Sequence, residues 1–100
     1  MYNQNFTENV NWLLAARQWS KTELHKRAAV SLAFVSDITA GKGNPSVEVM
    51  EKICGALDVP LPLLLLPNKD LRYIVELYEA LRKGHGSAGI ENSLGKEPPE

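Results

Sequence analysis

Three lysines, Lys21, Lys26 and Lys42, flank a segment in which the small residues Ala33, Ser36, Asp37 and Ala40 recur at spacings of one to four. At about 100° per residue in an α-helix, those four fall on one side, and Val35 and Ile38 fall on the other. The chemistry on offer is recognition. Ammonium groups and the free N–H groups of helix ends hold phosphate oxygens. A narrow helix with a low outer face and flanking cations is a shape that a DNA major groove admits. No Ser/His/Asp set, phosphate-cradling glycine loop or group of clustered carboxylates accompanies it, so no catalytic residues, no cofactor and no enzyme activity are expected. Cys54 is the only cysteine; neither an intrachain disulfide nor a cysteine-based zinc site can form, and no metal site is expected. Cys54 reads as a small hydrophobe on an apolar stripe, and His25 as a partly buried helix residue.

The elements that must position these residues are short helices. From Thr7 to about Gln18, Val10, Leu13 and Leu14 recur at helical spacing. Ser20-Lys21-Thr22-Glu23 is a capping box that opens a second helix carrying Leu24, Ala28 and Ala29. Ser31 caps a third, which Gly41 stops. After Asn44-Pro45, Ser46 caps a fourth helix with the stripe Val49, Met50, Ile53, Cys54 and Leu57. Pro62 fits the first turn of a short fifth helix reaching Leu66. A sixth runs from about Lys69 to Lys83, with Leu71, Ile74, Val75, Tyr78 and Leu81 on one face. From Gly84 onward there is too little apolar material to offset the entropy of ordering, and a disordered tail is expected. No sustained two-residue alternation signals a strand. The predicted fold is all-α, with a five-helix domain over residues 1–66, a C-terminal helix over 67–83 and a tail over 84–100.

One hundred residues, 44% of them hydrophobic, suffice for one core. The net charge of −1 conceals an asymmetry. Between Arg17 and Lys42 five basic residues stand against two acidic ones, whereas the tail from Gly84 holds Lys96 against Glu91, Glu97 and Glu100. The start of the chain lacks a secretory pattern, and the apolar run Pro60–Pro67 is too short for a bilayer. A cytoplasmic protein without membrane association is expected.

The run from Trp19 to Leu65 resembles the helix-turn-helix domain of the phage repressor and Cro, or Xre, family. The matching residues are Trp19, Ser20, Lys21, Glu23, Leu24, Val30, Ser31, Val35, Ile38, Gly41, Lys42, Pro45, Ser46, Leu57 and Val59, without a gap. The resemblance covers roughly residues 7–66 and implies a lambda-repressor-like fold in which the third helix reads DNA. It places base contacts on Leu32, Ala33, Ser36 and Asp37, with Phe34 on the flank. It places backbone contacts on Lys21, Ser31 and the loop Lys42, Gly43 and Asn44. Asp37 is open to two readings, a cytosine N4 acceptor or a solvated surface acid, and Phe34 to a base contact or a residue at the core edge. Two departures stand out. Ala29 occupies a position where many members have glycine, so the turn either avoids a positive φ or tolerates strain. Many members also pair an Arg in the first helix with a Glu after the Ile of the third; those positions are Leu14 and Thr39 here, so both partners are missing together.

The apolar material from Leu61 to Leu81 exceeds what a five-helix core needs. Either the sixth helix folds back on its own domain, or it pairs with a twin. The resemblance favours a homodimer on a palindromic double-stranded operator, through Leu63, Leu64, Leu66, Leu71, Ile74, Tyr78 and Leu81. The expected function is a transcriptional repressor without a small-molecule effector. The alternatives are an antitoxin that also binds its own operator and an adaptor that has lost DNA binding.

Overall fold

Asparagine is a poor helix former, yet the first helix begins within an Asn-rich stretch. The computed structural model describes residues 2–83, and α1 spans Tyr2–Arg17 rather than beginning at Thr7. Phe6, one turn ahead of Val10, extends the apolar row, and both are fully buried. The polar residues beside that row find tertiary partners. Asn5 Nδ2 donates to the Leu65 carbonyl at 3.0 Å. Asn9, fully buried, donates through Nδ2 to the carbonyls of Leu64 and Leu66, each at 2.8 Å. Its Oδ1 accepts from Asn68 Nδ2, also at 2.8 Å. Asn9 thus closes the junction ahead of the last helix with no polar atom of its side chain left unused.

The elements that follow are α2 (Lys21–Ala28), α3 (Leu32–Thr39), α4 (Val47–Leu57), α5 (Leu61–Leu64) and α6 (Asn68–Lys83). Among the described residues every regular element is a helix. Three serines start three of them as expected. Ser20, Ser31 and Ser46 accept through Oγ from the N–H groups of Glu23, Phe34 and Val49, at 3.0, 3.1 and 3.2 Å. Each such cap is worth about 1 kcal/mol. Pro60, in extended conformation, precedes α5, which stops at Leu64 rather than reaching Leu66.

The core is one cluster. Phe6, Val10, Leu13 and Leu14 of α1 meet Leu24 and Ala28 of α2, Val35 and Ile38 of α3, Met50, Ile53, Cys54 and Leu57 of α4, then Leu64 and Leu71. Two of these correct the set assigned above to pairing between chains. Leu64 and Leu71 are fully buried within the chain itself and cannot line a surface for a partner. The physical reason is the fold-back of α6. Its first turns lie on α1 and α5, so Leu71 fills the same core as Phe6. The tail expected from Gly84 lies outside the described residues.

Candidate nucleic-acid interface

The turn between α2 and α3 is built from local interactions. Ala29 sits at φ 57°, in the left-handed region. Of the two readings of this alanine, the one with slight strain therefore holds. Ala29 N–H and Val30 N–H both turn back to the His25 carbonyl, the latter at 3.3 Å. His25 Nδ1 in turn donates to the Val30 carbonyl at 3.0 Å. The imidazole thus closes the turn, and Val30 is buried.

From this turn α3 leaves with Val35 and Ile38 in the core and the opposite side open. Ala33 and Asp37 are exposed, and Ser36 is half-buried. Leu32 and Phe34 are exposed, Phe34 by 53%. Ser31 is held as the helix cap by its bond from the Phe34 N–H. Beyond α3 the chain turns sharply. Gly41 N–H reaches the Ile38 carbonyl at 3.0 Å, and Lys42 N–H reaches the Asp37 carbonyl at 2.8 Å. Gly41 and Gly43 take φ of 76° and 75°, which glycine adopts without a Cβ penalty. The loop therefore curls back beside α3. Phe34, Asp37, Ile38, Lys42, Gly43, Asn44 and Pro45 surround one small hollow of about 70 Å³. Exposed Lys21 stands at the first turn of α2.

The arginines nearby are differently engaged. Arg17 and Arg27 lie over the Trp19 ring, 5.5 and 4.3 Å from its centroid. Arg27 also pairs with Glu23. Among the described residues no ion pair engages Lys21, Lys26 or Lys42, which leaves their charge to the solvent side. No described cluster of His, Cys, Asp and Glu is arranged to hold a metal ion.

Several residues that shape this face were not anticipated from the sequence. Thr7 Oγ1 donates to the Ile38 carbonyl at 2.9 Å, and Asn11 Nδ2 to the Thr39 carbonyl at 2.9 Å. Asn3 Nδ2 donates to Asn44 Oδ1 in the loop. The signal available was the spacing of four that links Asn3, Thr7 and Asn11, which sets them in a row beside the Phe6–Val10 seam. Leu14 and Thr39, where the resemblance would place an ion pair, are accounted for. Leu14 is buried in the core, and Thr39 Oγ1 bonds the Val35 and Ser36 carbonyls of its own helix at 2.9 and 3.1 Å.

The second surface lies on α6. Ile74, Val75 and Leu81 are half-buried, as are Leu63 and Leu66 before the helix. Tyr73, Leu77 and Tyr78 are open, the two tyrosines by 65% and 62%. Tyr73 and Leu77 were not among the residues expected to pair. A groove of about 550 Å³ runs between α1, the α4–α5 connection and α6, with Trp12, Leu63, Ile74 and Tyr78 on its walls. Glu79 accepts from Arg82 at 2.7 Å, and that bond holds its carboxyl below its ordinary pKa.

A helix-turn-helix family model matches residues 11–64, more than half of the chain, and the chain belongs to that family, the lambda-repressor-like fold that the sequence resemblance implies. Over 44 residues the chain is 41% identical to the transcriptional regulator ClgR of Mycobacterium tuberculosis, in strain CDC 1551 / Oshkosh and likewise in strain ATCC 25618 / H37Rv. The match takes in 44% of this chain and 39% of each relative, so the chain spans about two fifths of the length of the curated relatives it matches. No solved structure matches it. No described helix is long and apolar enough to cross a membrane.

Proposed function

We propose that the protein is a sequence-specific DNA-binding transcriptional regulator acting as a repressor, with α3 entering the major groove of a double-stranded operator. One observation carries this reading. The side of α3 away from the core carries exposed Ala33 and Asp37 and half-buried Ser36, with Leu32 and Phe34 exposed at its start and the Lys42–Gly43–Asn44 loop beside it, while Lys21 is exposed in the first turn of α2. The relatives matched over 44 residues are named transcriptional regulators, which supports the regulatory part of the reading.

On this reading the roles divide. Lys21, Ser31, Lys42, Gly43 and Asn44 hold phosphates through charge and through exposed N–H groups. Leu32, Ala33 and Phe34 present apolar surface to thymine methyls, Ser36 hydrogen-bonds either partner, and Asp37 accepts from cytosine N4. α3 itself carries no Arg, Gln or Asn, so bidentate base pairing is scarce and DNA shape carries more of the selectivity. The protein acts as a homodimer, its two α3 helices roughly 34 Å apart on a palindrome. The open face of α6, with Tyr73, Leu77 and Tyr78 beside half-buried Ile74 and Leu81, is the pairing surface.

Selection from a random duplex pool, followed by mobility-shift titration, tests the reading. The wild type enriches a palindromic consensus with salt-sensitive affinity. Lys42→Ala weakens binding to all duplexes alike and lowers the salt slope by about one. Ala33→Arg changes which sequence is enriched. A wild type that enriches no sequence removes the proposal.

A further inference from the structure

The buried seam of α1, Phe6 and Val10, has a polar row on each side. Residues Asn5 and Asn9 lie one position before the seam residues, and Thr7 and Asn11 one position after, so at about 100° per residue the rows flank the seam left and right. One row bonds the α5–α6 junction. The other bonds α3, and its targets are specific. Thr7 and Asn11 donate to the carbonyls of Ile38 and Thr39, each at 2.9 Å, in the last turn of that helix. The final carbonyls of a helix lack partners within it; Asn11 supplies one to the Thr39 carbonyl, and Thr7 adds a second bond to the Ile38 carbonyl, which also accepts from the Gly41 N–H.

The location matters because Val35 and Ile38 hold α3 to the core by apolar contact alone. Such packing resists separation of two helices better than it fixes rotation or sliding, since it is non-directional. Hydrogen bonds are directional. Two of them, one helical turn apart on α1 and one residue apart on α3, define how far α3 is rotated and tilted. Asn3, a further turn along α1, reaches Asn44 and so fixes the loop that follows.

We propose that Thr7 and Asn11 are positioning residues for DNA reading: they set the pose of α3 on α1, and through it the angle at which Ala33, Ser36 and Asp37 meet base edges. The inference rests on the DNA-reading role proposed above. It concerns α1, which presents none of the groups assigned to base contact.

The test uses the full chain. The consensus duplex selected by the wild type and an unrelated duplex serve as probes for Thr7→Val, Asn11→Ala, the double variant and Thr7→Ser. Residual dipolar couplings report the orientation of α3 relative to α1, and thermal melting reports folding. The double variant is expected to lose about tenfold in affinity for the consensus, in line with two net hydrogen bonds of modest strength. Its affinity for the unrelated duplex and its salt slope stay unchanged, and the α3 couplings shift. Thr7→Ser, which keeps the hydroxyl, retains wild-type selectivity. A folded double variant with unchanged selectivity or unchanged α3 orientation overturns the inference, and so does equal loss on both duplexes. A variant that melts before binding can be measured leaves Thr7→Ser and Asn11→Ala to decide: Asn11→Ala must reduce selectivity while Thr7→Ser preserves it. Should the wild type itself enrich no sequence, the DNA reading fails and takes this inference with it. That outcome is distinct, because it appears before any substitution is made.

Discussion

Two helices of this protein turn an open face to solvent, and the faces differ in kind. That of α3 is low along Ala33, Ser36 and Asp37, with exposed Leu32 and Phe34 confined to its start and the Lys42 loop beside it. That of α6 is bulky, with Tyr73, Leu77 and Tyr78 projecting between charged residues. A low face admits close approach of a large rigid object, and its neighbours supply charge at a distance. A face of aromatic and aliphatic side chains gains most by being covered, since each large apolar group removed from water contributes about 1.5–3 kcal/mol. The contrast therefore separates a surface suited to a duplex groove from one suited to another protein chain. Both helices are anchored through the opposite side, α3 by Val35 and Ile38 and α6 by Leu71.

The strongest challenge to that division is substitution within α6 itself. Leu71→Ala is expected to cost about 2–5 kcal/mol of stability by leaving a cavity in the core. Leu77→Ala, six residues further and open, should change stability by about 0.5 kcal/mol or less. Urea denaturation measures both, and equal losses would show that the outer side of α6 is already covered within the chain. Leu77→Glu should in addition convert dimer to monomer in sedimentation, without melting the fold.

A smaller effect sharpens the α3 side. Ala29 holds a left-handed φ of 57° at the turn that launches α3. Ala29→Gly relieves its Cβ strain and should raise stability by about 1 kcal/mol. DNA affinity should stay as it was, because Ala29 lies outside the outward strip. Loss of affinity would mean that rigidity of the turn contributes to reading.

The mildest test is a pH titration of Cys54, which lies in α4, away from both faces. Burial, aided by the charge of Glu51, pushes its thiol up to about 11 from the free value of 9.0. The folded protein thus keeps a proton that the unfolded chain releases. Below pH 9 the thiol is protonated in both states and adds no pH dependence; between pH 9 and 11 stability falls as pH rises. Cys54→Ala should remove that part of the slope. A native thiol that reacts with alkylating reagents as fast as the unfolded chain would contradict the burial.

Much of this was legible in the sequence because its signals are local. Ser20, Ser31 and Ser46 start helices through bonds to N–H groups three residues on, an interaction that needs no tertiary partner. Val35 and Ile38 are separated from Ala33 and Asp37 by helical periodicity alone. The start of α1 was not legible, because Asn3, Asn5 and Asn9 disfavour helix by propensity and are held there by carbonyls about 40 to 60 residues away.

By itself the amino-acid order determined which segments become helices, where they begin after Ser20, and which side of α3 is small enough to face a groove. Only the tertiary structure decided that Leu64 and Leu71 belong to the core, since burial depends on what a folded-back α6 meets. It also decided that two rows of α1 side chains bind α3 and the α5–α6 junction. A hydrogen-bond donor declares its chemistry in the sequence, but its acceptor is chosen by the fold.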